Sequence, residues 1–171
     1  MVVIYASATA SVNPADAEDS DVLSRSECWA ALERICRDPV PHIDQISACR
    51  VVHESKDVDG HLKGLTRMIK GEGSHGEVEE VAILKRPVMI EFEFPKTGSF
   101  ITSILAPGSG GKKAKDLYLT QMYEWHCPEI KEGSQDHWDR QAEYFQMAMD
   151  IVGHTVEEVQ KMKKDGVLKD V

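Results

Sequence analysis

Residues 67–84 read RMIKGEGSHGEVEEVAIL and place Gly71, Gly73 and Gly76 in the G-x-G-x-x-G spacing of a dinucleotide-binding loop. Such a loop works where it follows a strand and opens a helix. The helix N-terminus then faces the pyrophosphate, and an acidic residue about 20 positions on holds the ribose. Here the glycines are followed by EVEEVAIL, which reads as a second strand. Glycines between two strands serve a hairpin, where the turn needs positive φ. The nucleotide reading is therefore set aside. The same decision reaches the fold, because a hairpin belongs to an antiparallel meander and a βαβ unit to a parallel sheet.

Closing the hairpin symmetrically over residues 71–76 sets Arg67 opposite Glu80, Leu65 opposite Ala82 and Ile69 opposite Val78. An ion pair then stands in an otherwise apolar row. In one reading the row lines an interior, where buried charge is kept because it is paired or used. Glu80 is then a candidate base and Arg67 a candidate oxyanion or carbonyl partner. In the other the row faces solvent, since the opposite row of Thr66, Met68, Val81 and Ile83 is nearly as apolar. Register alone leaves both open.

Working outward, residues 2–12, 48–55, 61–70, 77–85, 88–94, 99–106 and 116–126 read as strands separated by turn residues, with Pro14 breaking the chain after the first. Ser24 and Glu27 form a capping-box signature. Cys28, Leu32, Ile35 and Cys36 then recur at helical spacing beside Trp29 and Ala31, which predicts a helix over 25–37. Pro39 stops it, and Ile43 and Ile46 leave room for one further short helix. Near the C-terminus Trp138, Ala142, Phe145, Met149, Val152, Val156 and Val159 step by 4 and 3 along one face of a long helix, with Ser134 or Asp136 as cap and Gly166 as stop. Tyr144, Ala148 and Ile151 widen that stripe, and the sheet is the surface broad enough to cover it. The expected class is α+β: a single domain over 1–171, with a seven-stranded antiparallel sheet around the long helix and two short helices after the first strand. Wherever side chains are too small to fill the space between sheet and helix, a ligand cavity remains.

The net charge of −9 and pI of 5.2 disfavour phosphate backbones and anionic lipid, so no nucleic acid and no membrane is expected as partner. The N-terminal MVVIYASATASV has no basic stretch ahead of a continuous apolar run, which argues against a secretory signal and for a cytoplasmic protein. Cys28, Cys36, Cys49 and Cys127 show no C-x-x-C pair and read as reduced core thiols. None of the seven histidines shows metal-ligand spacing, and no G-x-S-x-G elbow occurs, so no metal and no cofactor is expected. APGSGGKKAK at 106–115 lacks the first Gly and the Ser/Thr of a phosphate-binding P-loop. It reads as a second hairpin, with Lys112, Lys113 and Lys115 in solvent.

On the last strand Leu117, Leu119, Gln121, Tyr123 and Trp125 form the better core face. Gln121 is its odd polar member, and the two aromatics carry polar tips. Gln121, Tyr123, Trp125, Tyr144 and Phe92 are taken as candidate substrate-binding residues. His154 joins them because it lies beside Ile151 on the final helix. Plain core packing is the competing reading for the aromatics, and an exposed or satisfied side chain for the histidine.

VNP at 12–14, RDPVPHI at 37–43, VMIEFEF at 88–94, DLYLT at 116–120, YEWHCPEI at 123–130 and HTVEEVQKMKKDG at 154–166 together resemble the AtaL-like proteins, a branch of the START/SRPBCC superfamily. The resemblance implies a helix-grip fold with a hydrophobic cavity between curved sheet and C-terminal helix. It also implies frequent occurrence in fungal gene clusters for natural products. It does not imply one reaction, because the superfamily holds carriers and receptors as well as cofactor-independent cyclases, dehydratases and isomerases. Two expectations follow: an enzyme acting without cofactor on an apolar, oxygenated intermediate, or a non-catalytic carrier of such a molecule. The oligomeric state stays between monomer and homodimer.

Overall fold

A computed structural model describes residues 1–110 and 115–168. Seven strands, β1 (Val2–Ser11), β2 (Ile46–Lys56), β3 (Leu62–Gly71), β4 (Val78–Lys85), β5 (Met89–Phe94), β6 (Ser99–Pro107) and β7 (Leu117–Cys127), accompany two α-helices, α1 (Arg25–Arg37) and α2 (Gln135–Lys164). The strands form one sheet in the order β1-β7-β6-β5-β4-β3-β2, and every neighbouring pair is antiparallel. This is the helix-grip arrangement, with α2 against β1 and β7.

The hairpin that decided the reading is formed in the expected register: Arg67 pairs with Glu80, Leu65 with Ala82 and Ile69 with Val78. Gly73 takes φ +70° at the turn, and a Cβ on Gly73 or Gly76 would meet nothing within 4 Å. Gly73 and Gly76 therefore shape an open turn. Register also carries one row of side chains across the sheet, through Leu65, Ala82, Phe92, Ile101, Tyr123 and Ala6. Leu65, Ala82, Tyr123 and Ala6 of this row are buried, so it faces the helices.

The capping box of α1 is complete: Glu27 N–H donates to Ser24 Oγ at 3.2 Å, and Ser24 N–H to Glu27 Oε2 at 2.9 Å. The six apolar residues predicted for the buried face of α1 are all buried. Ser24→Ala should cost about 1 kcal/mol, read as a lower midpoint in urea unfolding with an unchanged slope. For α2 the structure selects Ser134 as cap, and Gly166 follows the helix with φ +71°.

Three expectations are corrected. No second helix follows α1: residues 39–45 make consecutive turns, with His42 and Ile43 N–H both donating to the Pro39 carbonyl. Two prolines in DPVPHIDQI remove the donors a longer helix needs. A short 3-10 turn at Asp19–Asp21 precedes α1 instead. On α2, Val152, Val156 and Val159 are buried as expected, but Trp138, Phe145 and Met149 are 55%, 44% and 52% exposed. The residues that widened the stripe, Tyr144, Ala148 and Ile151, are the ones turned inward there, Ala148 fully buried and the other two half-buried. A 4,3 pattern tracks a 3.5-residue repeat, from which a straight helix drifts by about 20° per heptad. The sheet therefore meets a different strip of α2 in its first half. Lys112 and Lys113 lie outside the described residues. Lys115 is only about one-third exposed and donates to the Ala17 carbonyl, so it ties the loop after β1 and is not free in solvent.

Candidate functional site

A cavity of about 250 Å³ lies between the sheet, the end of α1, the loop before β2 and the middle of α2. Its walls are mostly apolar, with Ile90, Phe92, Phe94 and Ile101 from the sheet and Ile35 and Ile151 from the helices. Two polar groups interrupt them, one on β3 and β4 and one on β6 and β7.

The first is the Arg67–Glu80 pair, 3% and 2% exposed. The solvent-facing reading of this row is thereby overturned. Arg67 Nε donates to Glu80 Oε1 at 2.7 Å, Nη2 stands 2.6 Å from the same oxygen in the ion pair, and Nη1 donates to the carbonyls of Cys36 and, at 3.5 Å, Ile35. The guanidinium carbon stands 5.4 Å from the centre of the Phe92 ring. Arg67 thus closes the C-terminal turn of α1, where free carbonyls carry partial negative charge. Nη2 carries two N–H groups and makes one contact, to Glu80 Oε1, which leaves one N–H without an acceptor among the described residues. Burial pushes the Glu80 carboxyl above the usual carboxylate range, against the opposing pull of the Arg67 charge and its hydrogen bond. A carboxylate so placed is a stronger base than one in water.

The second is a short chain of neutral groups. Tyr123 Oη donates to Gln121 Oε1 at 2.9 Å, and Gln121 Nε2 donates to Ser103 Oγ at 3.4 Å. Burial raises the Tyr123 hydroxyl well above its ordinary value, so it stays a neutral donor. Trp125 is packed among Phe94, Tyr123 and Tyr144 with ring centres 5.6, 6.1 and 5.8 Å away. Its buried indole N–H has no acceptor among the described residues.

Of the predicted residues, Arg67, Glu80, Phe92, Gln121, Tyr123 and Trp125 line one cavity. Tyr144 and His154 do not. Tyr144 sits behind Trp125, its hydroxyl accepting from Arg140 Nη1 at 3.2 Å. His154 lines an adjoining polar recess of about 160 Å³ with His42, Asp44 and Asp150. Three residues at about 100° each set His154 roughly 60° around α2 from Ile151, on the side of this recess, whereas Ile151 reaches both the recess and the cavity. Ser103, Gln45 and Thr155 belong to the lining and were not anticipated. The alternation of Ser99, Ile101, Ser103 and Leu105 on β6 carried a signal for Ser103. Nothing local marked Gln45 or Thr155. Cys28 and Cys36 are buried with thiols pushed up to about 12 by desolvation, which suits packing and not nucleophilic attack. Among the described residues no group of three or more His, Cys, Asp or Glu side chains is placed to hold a metal ion, and no helix is long and apolar enough to cross a membrane.

The family described as acetylaranotin biosynthesis cluster protein L, AtaL, matches residues 6–166. The chain belongs to the AtaL family. A curated relative, acetylaranotin biosynthesis cluster protein L of Aspergillus terreus (strain NIH 2624 / FGSC A1156), is 37% identical over 54 residues, 32% of this chain and 35% of the relative. The match thus spans about a third of that relative's length. Among solved structures, the di-domain ARO/CYC StfQ from the steffimycin biosynthetic pathway superposes with a TM-score of 0.61 at 10% identity, over 96% of this chain and 52% of that one. A protein from Thermus thermophilus gives 0.60 at 8% identity, over 96% and 99%. Identities this low speak for the fold alone. Two of the AtaL-like segments have visible structural roles in this AtaL-family chain. Asn13 of VNP is 2% exposed and exchanges two hydrogen bonds with the Leu23 backbone, at 3.0 and 2.8 Å. RDPVPHI runs from the end of α1 to Ile43 in the cavity wall and is held to α2 by His42 Nδ1 and Glu158 Oε2 at 2.7 Å.

Proposed function

We propose that the protein binds a hydrophobic natural-product intermediate in this cavity and catalyses a cofactor-independent cyclisation, isomerisation or dehydration in cytoplasmic secondary metabolism. The observation that carries the reading is the buried Glu80 carboxylate, raised in basicity and held by Arg67 at the wall of an otherwise apolar chamber. The family and its curated member, named for a biosynthesis cluster, support the metabolic setting, as does the likeness to a structure named ARO/CYC.

In this mechanism Glu80 takes a proton from a carbon beside a ligand carbonyl. The remaining Nη2 donor of Arg67 meets the oxygen on which charge develops. The proton returns to a different carbon in an isomerisation, or leaves with a hydroxyl as water in a dehydration. In a cyclisation the carbanion closes onto a second carbonyl, whose C=O π bond opens to an alkoxide that takes the proton back from Glu80. Gln121, Tyr123 and Phe92 orient the ligand, and the apolar walls exclude water.

The test begins with mass spectrometry of ligand that co-purifies from the native host, followed by turnover of that ligand across pH. A base must be ionised to act, so the rate should rise with pH through the Glu80 ionisation. The acid limb should inflect above the ordinary carboxylate value of 4.5. An acid limb at or below that value rules out Glu80 as the base. A non-catalytic carrier is the second reading, favoured by one observation: most Arg67 donors are committed to Glu80 and the end of α1, as a structural tie would have them.

A further inference from the structure

We infer that the cavity selects uncharged ligands of about two fused six-membered rings and rejects the ionised forms of the same molecules. The inference rests on the ligand-binding part of the proposed function and narrows it to a substrate class. Size comes first. An apolar cavity of about 150 Å³ accommodates benzene, so about 250 Å³ suits a two-ring body lying along Phe92 and Phe94.

Charge follows from the partners. Among the described residues the cavity wall holds one cation, Arg67, and one anion, Glu80, joined through two contacts at 2.7 and 2.6 Å. The same guanidinium also faces the carbonyls of Ile35 and Cys36, which carry the negative end of α1. Its positive charge is compensated before any ligand arrives. A ligand carboxylate would lose its hydration and find no uncompensated cation, and desolvation without a partner costs several kcal/mol. A ligand ammonium would meet Arg67 beside that one carboxylate. The remaining polar side chains of the lining, Gln45, Ser103, Gln121, Tyr123 and Thr155, are neutral and suit carbonyl and hydroxyl groups. The adjoining recess adds Asp44 and Asp150 beside His42 and His154. Glu158 stands against His42, and Glu157 lies 3.9 Å from His154. That recess shares Ile43, Gln45, Ile151 and Thr155 with the cavity, and its carboxylates, on a chain of net charge −9, offer an anion no attraction.

The test is an isosteric pair, 2-naphthamide and 2-naphthoate, titrated calorimetrically into the wild-type protein at pH 7.5 and again into Glu80→Gln. The wild type should bind the amide at least about tenfold more tightly than the carboxylate. Glu80→Gln leaves Arg67 uncompensated, so the carboxylate should gain at least about tenfold there and the preference should shrink or reverse. Equal or tighter binding of 2-naphthoate by the wild type overturns the charge inference and leaves the cavity reading intact. Failure of both compounds to bind sinks the ligand class and the cavity reading together.

Discussion

Glu80→Gln is expected to lower turnover of the native ligand by about 10²–10⁴-fold while the ligand still binds, the span typical for loss of a positioned general base. Gln keeps the shape of the side chain and one oxygen to accept from Arg67 Nε, now 2.7 Å from Glu80 Oε1. It cannot take a proton from carbon. Single-turnover rates give the chemical step and calorimetry gives the affinity, so loss of catalysis and loss of binding separate cleanly. The acid limb of the pH profile should vanish with the carboxyl group. A variant that binds and turns over like the wild type removes the base assignment and leaves the carrier.

Arg67→Ala is expected to lower unfolding free energy by about 3–5 kcal/mol, because removing one partner leaves the other as an uncompensated buried charge. Two losses combine. Glu80, 2% exposed, keeps a carboxylate with nothing to neutralise it, and the last carbonyls of α1 lose the Nη1 donor. Urea unfolding followed by circular dichroism measures the effect. The double variant Arg67→Met with Glu80→Leu should recover most of that loss, since apolar groups of similar volume often replace a buried pair at little cost, yet it should show no turnover. A single variant that costs under about 1 kcal/mol contradicts the tie between α1 and the sheet.

The carrier and enzyme readings share every contact except the use made of Glu80. For that reason the distinction rests on chemistry and not on fold. The StfQ likeness, at 10% identity, speaks for the fold and for no acting residue.

Much of the site was legible because of where the hairpin falls. Arg67 and Glu80 lie on consecutive strands joined through the glycine turn, and closing that hairpin symmetrically over residues 71–76 gives the register that the structure shows. GEGSHG, which spells a nucleotide loop, therefore served to locate an ion pair. Gln121, Tyr123 and Trp125 were found in the same way, by period-2 alternation along β7. The capping box at Ser24 and the burial of α1 are also local, resting on residues within a few turns of one another.

What the sequence by itself determined was the fold class, the seven strands and two main helices with boundaries to within a few residues, the pairing across the glycine hairpin and the helix-grip fold. Only the tertiary structure decided which strip of α2 faces the sheet ahead of Val152, that Tyr144 and His154 stand outside the cavity, and that Arg67 reaches back to the carbonyls of α1. The physical reason is range. Alternation, caps and turns are set by neighbours along the chain, whereas the rotation of a helix on a sheet is set by elements far away in sequence. A cavity is the volume that packing leaves unfilled, and no local pattern records it.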